Sequence, residues 1–329
     1  MVKNATRRSR PLLVPSLTAL AVAVPVVALP AGATPPGTNG KLVFERPTRD
    51  GADLYTVGAD GSGLSRLTRL KGVEGDSSWS PDGSRVAFTR ARNPEKGPFE
   101  IWVVNADGSG LARLTRHRGF SFGPAWSPDG RRIVYATERR DRPPGLYVVN
   151  SDGSGTQRLR RSRTRGYTDP SWSPDGAAIA FGIGKPAETP RGLDLSIAAV
   201  DADDGGNLRR LTRPGGADEV NPNWSPDGAA IAFERNRLFP VGQSDIWLMN
   251  GDGSGQRRIT ATRVYETNPV FSPDGTRIAF TGDRDNRRLS KERLGQGFEL
   301  YTMALDGSGI VKVTTNRRPD VFPDWQPLP

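Results

Sequence analysis

A five-residue motif recurs along the chain at nearly constant intervals. Trp-Ser-Pro-Asp-Gly occupies residues 79–83, 126–130, 172–176 and 224–228, Phe-Ser-Pro-Asp-Gly occupies 271–275, and a degenerate copy occupies 325–329. The aromatic residues that begin these copies, here called the anchors, are Trp79, Trp126, Trp172, Trp224, Phe271 and Trp325. Successive anchors are 47, 46, 52, 47 and 54 residues apart. A repeat of this length indicates an array of similar structural units.

Each repeat has room for four short strands. The first strand ends at the anchor, and the Ser-Pro-Asp-Gly turn leads to a second strand such as Val86-Ala87-Phe88. A variable loop precedes a third strand such as 101–104, and an Asp-Gly turn such as Asp107-Gly108 leads to a short fourth strand ending in Leu-Thr. Short strands with frequent turn signals predict an all-β fold, and four strands per repeat are typical of propeller blades.

The two ends of the repeat region complement each other. Residues 41–44 match a second strand with no first strand before it, and residues 322–325 match a first strand with no second strand after it. Together they make one complete blade. The sequence therefore predicts a six-bladed β-propeller of four-stranded antiparallel blades, whose ring is closed by pairing of the N- and C-terminal strands. Such closure leaves no exposed sheet edge at the join.

The first 33 residues have the pattern of a secretory signal. Four basic residues precede an apolar run over 12–29, and Ala31-Gly32-Ala33 resembles a cleavage site. An uncleaved membrane anchor is the alternative, and Arg7-Arg8 hints at twin-arginine export. We expect a signal peptide at 1–33, a linker at 34–39 and the propeller at 40–329. The mature chain would have no transmembrane span and would be secreted or lie in the cell envelope or periplasm.

Composition excludes several kinds of chemistry. The chain has no Cys and a single His, His117, so thiolate zinc sites, iron–sulfur clusters, Cys nucleophiles and multi-His metal sites are excluded within one subunit. Residues 119–123 match the G-x-S-x-G nucleophile pattern beside His117, but no helix is predicted after them, as that chemistry requires. We expect no catalytic residue, no cofactor and no metal.

The alternating strands divide the variable and invariant segments between two faces. The tight turns lie on one, the turn face; the loops between second and third strands and between blades lie on the other, the loop face. Function commonly resides in variable loops. The loop face is rich in Arg, aromatic and polar residues, although arginines that only keep the protein soluble would give the same pattern. The candidate binding residues are Phe120, Phe122, Tyr167, Asp169, Glu219, Asn221, Tyr265, Glu266, Asn268, Phe322, Arg140 and Arg165.

The repeat resembles that of a known family. The pattern P-x-W-S-P-D-G-x-x-I-A-F, followed by I-W-V-x-N-x-D-G-S-G and R-L-T, is similar to the repeat of TolB-type six-bladed propellers over residues 40–329. The G-H and W-D signatures of WD-repeat proteins are missing. TolB also has an N-terminal α/β domain, for which residues 34–39 leave no room. The resemblance thus implies a propeller alone, without the role of TolB in the Tol system.

Two functions of different classes follow. The first is a monomeric, non-catalytic binding or scaffold module, which presents a basic and aromatic loop face to a protein, a peptide or an anionic glycopolymer. After removal of four basic residues, the formal charge of +10 falls to +6, but an exported protein rarely meets nucleic acid, so we expect no nucleic-acid partner. The alternative is a lyase- or lactonase-type enzyme, with a channel metal held by Glu219, Asn221, Glu266 and Asn268.

Overall fold

The structure is a computed structural model. It describes residues 36–116, 119–138, 143–185, 195–213, 215, 217–237, 243–262, 264–284, 297–316 and 318–329. Within these residues all regular structure is β, as twenty-four strands. The predicted signal peptide lies outside the described residues. The described residues include no helix that is long and apolar enough to cross a membrane.

The strands form six blades, which we number in chain order. Blade 1 consists of β24 (Val321–Leu328), β1 (Thr38–Thr48), β2 (Gly51–Val57) and β3 (Ser65–Arg66). Blade 2 comprises β4 (Gly72–Trp79), β5 (Arg85–Ala91), β6 (Glu100–Asn105) and β7 (Ala112–Arg113). Blade 3 comprises β8 (Phe120–Trp126), β9 (Arg132–Glu138), β10 (Gly145–Asn150) and β11 (Gln157–Arg161).

The remaining blades follow the same order. Blade 4 comprises β12 (Gly166–Trp172), β13 (Ala178–Gly184), β14 (Ser196–Asp201) and β15 (Arg209–Arg210). Blade 5 comprises β16 (Asp218–Trp224), β17 (Ala230–Arg237), β18 (Gln243–Asn250) and β19 (Arg257–Arg258). Blade 6 comprises β20 (Glu266–Phe271), β21 (Arg277–Gly282), β22 (Glu299–Ala304) and β23 (Val311–Lys312).

Blade 1 closes the ring. The C-terminal strand β24 pairs antiparallel with β1, and Leu42 lies opposite Trp325. Each first strand also contacts the first strand of the next blade, in the cyclic order β4, β8, β12, β16, β20, β24 and back to β4. These six strands therefore form the wall of a central channel. The predictions of an all-β six-bladed propeller and of closure by the terminal strands are confirmed.

A buried ion pair and a turn contact strengthen this closure. The guanidinium of Arg46 on β1 donates to both carboxylate oxygens of Asp320, across 2.6 and 2.7 Å. At the opposite end of the blade, the Asn39 side chain donates to Asp274 in a turn of blade 6. A bidentate Arg–carboxylate pair adds geometric specificity as well as energy, so it helps to set the register of β24.

The apolar core is divided into layers between blades. Between blades 2 and 3, for example, Ala87, Ile101 and Leu114 pack against Trp126 and Tyr135. An equivalent layer lies at each of the other five junctions among the described residues. In every layer the anchor of one blade packs on the second and third strands of the preceding blade. All six anchors are at most 5% exposed. Each blade is thus stable only with its neighbours, as expected for repeat proteins.

The Leu-Thr pair at the end of the repeat has a structural role. In five blades the Thr hydroxyl oxygen accepts a hydrogen bond from a backbone N–H near the start of the third strand, over 2.8–3.0 Å. The acceptors are Thr68, Thr115, Thr212, Thr260 and Thr314. This bond uses a donor that a longer fourth strand would otherwise pair with, so the outermost strands of these blades are only two residues long.

Candidate functional site

Every first strand contains a bulge three residues before its anchor. At this point the register with the second strand shifts, and the backbone takes a left-handed conformation with φ between 53° and 64°. The six residues in this conformation are Asp76, Gly123, Asp169, Asn221, Asn268 and Phe322. Gly, Asn and Asp tolerate positive φ, whereas a bulky apolar side chain such as Phe322 adopts it only under strain.

The bulges connect neighbouring blades through hydrogen bonds at the channel wall. The backbone N–H groups of Gly123 and Phe322 donate to the Thr89 and Thr281 hydroxyls of the preceding blades, each across 3.2 Å. The Asn221 N–H donates to Asp169 across 3.3 Å. Three of the predicted site residues, Asp169, Asn221 and Phe322, therefore help to hold the wall together.

Acidic groups accumulate in this wall. Burial raises the pKa of Asp76, Glu234 and Asp324 to about 7, and burial together with Asp76 and Glu74 raises the pKa of Glu45 to about 8. Burial also raises the pKa of Asp169, with smaller contributions from the charges of Asp76 and Glu234. Since Asp76 and Asp169 lie on non-adjacent blades, their mutual influence acts across the channel.

Most of these groups accept hydrogen bonds, but some oxygens do not. Glu234 accepts from the Asn221 side chain and from the Ser244 hydroxyl, each at 2.9 Å. One carboxylate oxygen of Asp76, one of Asp169 and the amide oxygen of Asn221 are buried and have no hydrogen-bond partner in the described part of the chain. Among the described residues, no three His, Cys, Asp or Glu side chains are grouped so that they could hold a metal ion.

Two of the acids predicted as binding residues, Glu219 and Glu266, form ion pairs. Glu219 lies directly opposite Arg235 in the sheet and contacts its guanidinium at 2.5 Å, and Glu266 contacts Arg284 at the same distance. Glu74 pairs with Arg90 in the same way. Sequence analysis gave Glu219 and Glu266 as binding residues or as ligands of a channel metal, but in the structure an arginine in or just after the second strand of the same blade neutralises each of them.

The arginines in these pairs also stack on aromatic rings. The Arg235 guanidinium lies 3.9 Å from the centre of Trp247, and that of Arg90 lies 4.9 Å from the centre of Trp102. Each guanidinium is therefore held between a first-strand carboxylate and a third-strand ring. Such arginines stabilise the blade and offer little charge to a partner.

The predicted aromatic residues differ in accessibility. Phe120 is 40% exposed and lies 5.1 Å, ring to ring, from Phe99, while the half-buried Tyr265 contacts Phe298 edge-on at 6.4 Å. Tyr167 is buried against Phe181. Phe122 packs on the core between blades 3 and 4, and Phe322 is half-buried. Arg165 is half-buried, and Arg140 lies outside the described residues.

Sequence analysis missed Phe99 and Phe298, which complete the two aromatic pairs. Both lie immediately before the third strand of their blade. Phe99 contacts Phe120, the first residue of β8, and Phe298 contacts Tyr265, the residue before β20. Their position directly before the third strand, on the predicted loop face, is a signal that could have identified them.

The G-x-S-x-G match has no catalytic geometry. Ser121 lies within strand β8, is 1% exposed, and donates its backbone N–H to the Phe99 carbonyl across 2.9 Å. A nucleophile elbow instead places its serine on a sharp turn between a strand and a helix. His117 lies outside the described residues.

The two faces carry opposite charge. Every tight turn on the turn face exposes an aspartate, and hydrogen bonds from a nearby Ser, as from Ser109 to Asp107, hold the pKa of these carboxyls in most turns below their usual value. On the loop face, exposed acids among the described residues are Asp50, Glu95 and Glu138. Exposed bases there are Arg49, Arg69, Lys71, Arg92, Lys96, Arg116, Arg163, Lys185, Arg213 and Arg318.

Comparison with known protein families agrees with this architecture. The family model of the TolB beta propeller domain matches residues 93–189 and 219–327, more than half of the chain. The chain belongs to the TolB beta-propeller family. An uncharacterized protein of Agrobacterium fabrum is 38% identical over 90 residues, which are 27% of this chain and 27% of that protein. The chain thus matches about a quarter of the length of that relative.

Solved structures resemble this TolB-family propeller in fold. TolB from Acinetobacter baumannii superposes with a TM-score of 0.69 and 19% identity, covering 88% of this chain and 67% of that one. An oligogalacturonate lyase in complex with manganese superposes with a TM-score of 0.51 and 17% identity, covering 85% and 74%. At such identities the likeness concerns the fold, and a shared activity does not follow from it.

Proposed function

We propose that this propeller is an exported, non-catalytic binding or scaffold module of the cell envelope or secreted space. Its loop face would bind a protein, a peptide or an anionic glycopolymer. The observation that carries the proposal is the charge of the exposed loop-face side chains: ten bases and three acids among the described residues. Since the turn face exposes a ring of aspartates, an anionic partner is attracted to one face and repelled from the other.

The aromatic pairs supply anchors for such a partner. Phe99 and Phe120 bridge blades 2 and 3 on the loop face. Arg92 is exposed in the loop between β5 and β6, and Arg116 is exposed in the loop between β7 and β8. Exposed aromatic rings beside arginines are typical of the residues that contribute most to protein interfaces. Glu219 and Glu266 are each engaged by an arginine, which supports a binding role over an acid–base one for these two acids.

The second candidate is a propeller enzyme with a channel metal, and it has less support. It requires Glu219, Asn221, Glu266 and Asn268 to converge on one ion, but Glu219 and Glu266 each bind an arginine of their own blade. The likeness to the lyase extends to the fold alone. No specific observation in the described part of the chain favours this candidate.

The binding proposal predicts that loop-face changes weaken binding to a polyanion. We expect the triple variant Arg92→Glu, Arg116→Glu and Phe120→Ala to bind a soluble polyuronate at least about tenfold more weakly than wild type. All three side chains are exposed, so the melting temperature should change little. Wild-type binding should also weaken as NaCl rises, because salt screens exposed charges. Isothermal titration calorimetry measures both effects.

The matched control changes the opposite face. Arg131→Glu with Arg257→Glu reverses two exposed arginines in or beside turn-face segments, and we expect its affinity to stay within about twofold of wild type. The proposal would be wrong if the control variant lost binding while the loop-face variant kept it.

Export yields a separate prediction. Cleavage after Ala33 would leave Thr34 as the first residue of the mature protein, because the basic, apolar and small-residue regions before it have the order of a signal peptide. N-terminal sequencing of protein recovered outside the cytoplasm should therefore begin at Thr34. Intact Met1 on soluble cytoplasmic protein would contradict it.

A further inference from the structure

Blade 3 departs from the other blades at its outer edge. Its fourth strand, β11, is five residues long, whereas β3, β7, β15, β19 and β23 have two residues each. The segment 157–165, which contains β11, includes five arginines and no acid: Arg158, Arg160, Arg161, Arg163 and Arg165. We call this segment the arginine edge; among the strands that the structure describes, its strand β11 pairs with β10 alone.

The extra length has an identifiable cause. At the position where the other blades have the Thr that accepts a third-strand N–H, blade 3 has Arg160. Without that side-chain acceptor, the backbone of Arg160 itself pairs with Leu146, and the ladder continues to Arg161 opposite Gly145. The strand is therefore extended by a change in sequence at the point where the other blades stop.

Blade 3 also lacks the third-strand acid that neutralises a fourth-strand base in other blades. In four other blades the third strand has an acid within its first three residues, and that acid pairs with a fourth-strand base, as in Asp53 with Arg66 and Asp245 with Arg258. Blade 3 has Gly145 at this position, and a Cβ there would lie 2.6 Å from the Arg160 carbonyl oxygen. An acid is thus sterically excluded by the longer strand.

The arginine edge consequently carries positive charge that no carboxylate of the described residues neutralises. Among the described residues no carboxylate forms an ion pair with any of its five arginines. Arg160 donates to the Gly205 carbonyl across 2.8 Å and is half-buried, but Arg158, Arg161 and Arg163 are exposed.

We propose that the arginine edge is a docking site for an acidic, extended peptide segment, which adds to blade 3 as a fifth strand. An edge strand presents unpaired backbone N–H and C=O groups on its open side, and a peptide that pairs with them gains affinity from the main chain. Acidic side chains on the added strand would pair with the exposed arginines, which supplies selectivity. Five residues correspond to about 17 Å of ladder.

A peptide fits these observations better than a polysaccharide. A glycopolymer could use the arginines, but it has no regular array of amide donors and acceptors to match the open side of β11. Charged side chains on an edge also discourage self-association. The other five outer strands are too short to pair stably with another chain. The longer outer strand of blade 3 is the exception, and it can accept an added strand. The strand β11 lies on the circumference of the ring, so its open backbone edge is separate from the loop face, and only Arg163 and Arg165 at the end of the segment belong to both surfaces.

The experiment uses the mature protein and a synthetic nine-residue peptide of alternating Glu and Val, labelled for fluorescence anisotropy. One further version is N-methylated at its odd-numbered residues and the other at its even-numbered residues. Each version therefore lacks the N–H groups along one of the two edges of the extended peptide. Because only one edge of an added strand pairs with β11, one version should lose binding at least about tenfold while the other keeps it. Charge attraction alone would treat the two versions alike.

Protein variants locate the site. Arg158→Glu with Arg161→Glu should weaken binding of the unmodified peptide at least about tenfold. The matched control, Arg209→Glu with Arg257→Glu, reverses exposed arginines on the two-residue outer strands of blades 4 and 5 and should bind normally. Should the blade 3 variant fold poorly, the N-methylated peptides still test the proposal on wild-type protein.

Three results would overturn the proposal. They are absence of peptide binding, equal binding of the two N-methylated versions, and equal or tighter binding of a uronate oligomer of the same charge, which would indicate a general polyanion surface. The triple loop-face variant should bind the peptide normally. Loss of polyuronate binding by that variant and loss of peptide binding by the blade 3 variant are therefore separate outcomes.

Discussion

Deletion of residues 322–329 should abolish cooperative folding of the propeller. The deletion removes most of β24, which pairs with β1 and contacts β4 and β20, and it removes Trp325 from the core between blades 6 and 1. Loss of one buried large aromatic side chain alone costs about 3–5 kcal/mol. Since domains of ordinary stability unfold with about 5–15 kcal/mol, the missing strand should leave the ring open at room temperature. Circular dichroism with thermal unfolding measures this effect.

Two further samples make the deletion interpretable. Leu328→Ala, at a position that is 38% exposed in the same strand, should change the free energy of unfolding by at most about 0.5 kcal/mol. A synthetic peptide of residues 318–329, added to the truncated protein, should restore the folded signal by supplying the strand. A truncated protein that melts at the wild-type temperature would contradict ring closure by β24.

The second large effect concerns pH: we expect the free energy of unfolding to fall as pH rises from about 5 to 8.5. Burial raises the pKa of Asp76, Glu234 and Asp324 to about 7 and that of Glu45 to about 8, well above the values of these groups in an unfolded chain. Between the unfolded and folded pKa values, the folded protein binds more protons than the unfolded chain. Stability therefore decreases with pH in this window, opposite to the usual behaviour of salt-bridged acids.

A substitution at Glu45 tests the cause. Glu45→Gln keeps the shape and cannot ionise, so it should raise the melting temperature at pH 8.5 and have little effect at pH 5. The control Asp107→Asn removes a turn-face carboxyl whose pKa is lowered by hydrogen bonds from Ser109, so it should leave the slope between pH 5 and 8.5 unchanged. Stability that increases through this range in the wild-type protein would show that the wall carboxyls are ionised at little cost.

The repeat made the architecture predictable from sequence. The anchors and Asp-Gly turns keep the same spacing because each blade must present the same surfaces to its neighbours, so strand order and the split blade followed from residues such as Trp79 and Trp325. Propensity alone would not have placed 322–325 beside 41–44, which are far apart in the chain. The complementary fragments at the two ends supplied that long-range information.

The site was less predictable, for physical reasons. In the sequence Glu219 and Glu266 stand just before the predicted first strands, as free polar rim residues would, and only the fold shows that Arg235 and Arg284 neutralise them. The left-handed bulge did leave a trace, since Asp, Gly and Asn occupy the position three before five of the anchors. Phe322 breaks that pattern, so sequence analysis interpreted it as a surface aromatic.

Ring closure by β24 also determines the order in which the protein can fold. Leu42 meets Trp325 across nearly the whole chain, so the last blade cannot form until the end of the polypeptide is available. Contacts between residues so distant in sequence slow folding, because a long loop must close before they stabilise anything. Because a chain is synthesised from its N-terminus, one edge of β1 would stay unpaired until β24 has been made. Delayed closure therefore keeps the ring open, and the polypeptide free to be threaded, until its last strand has been made.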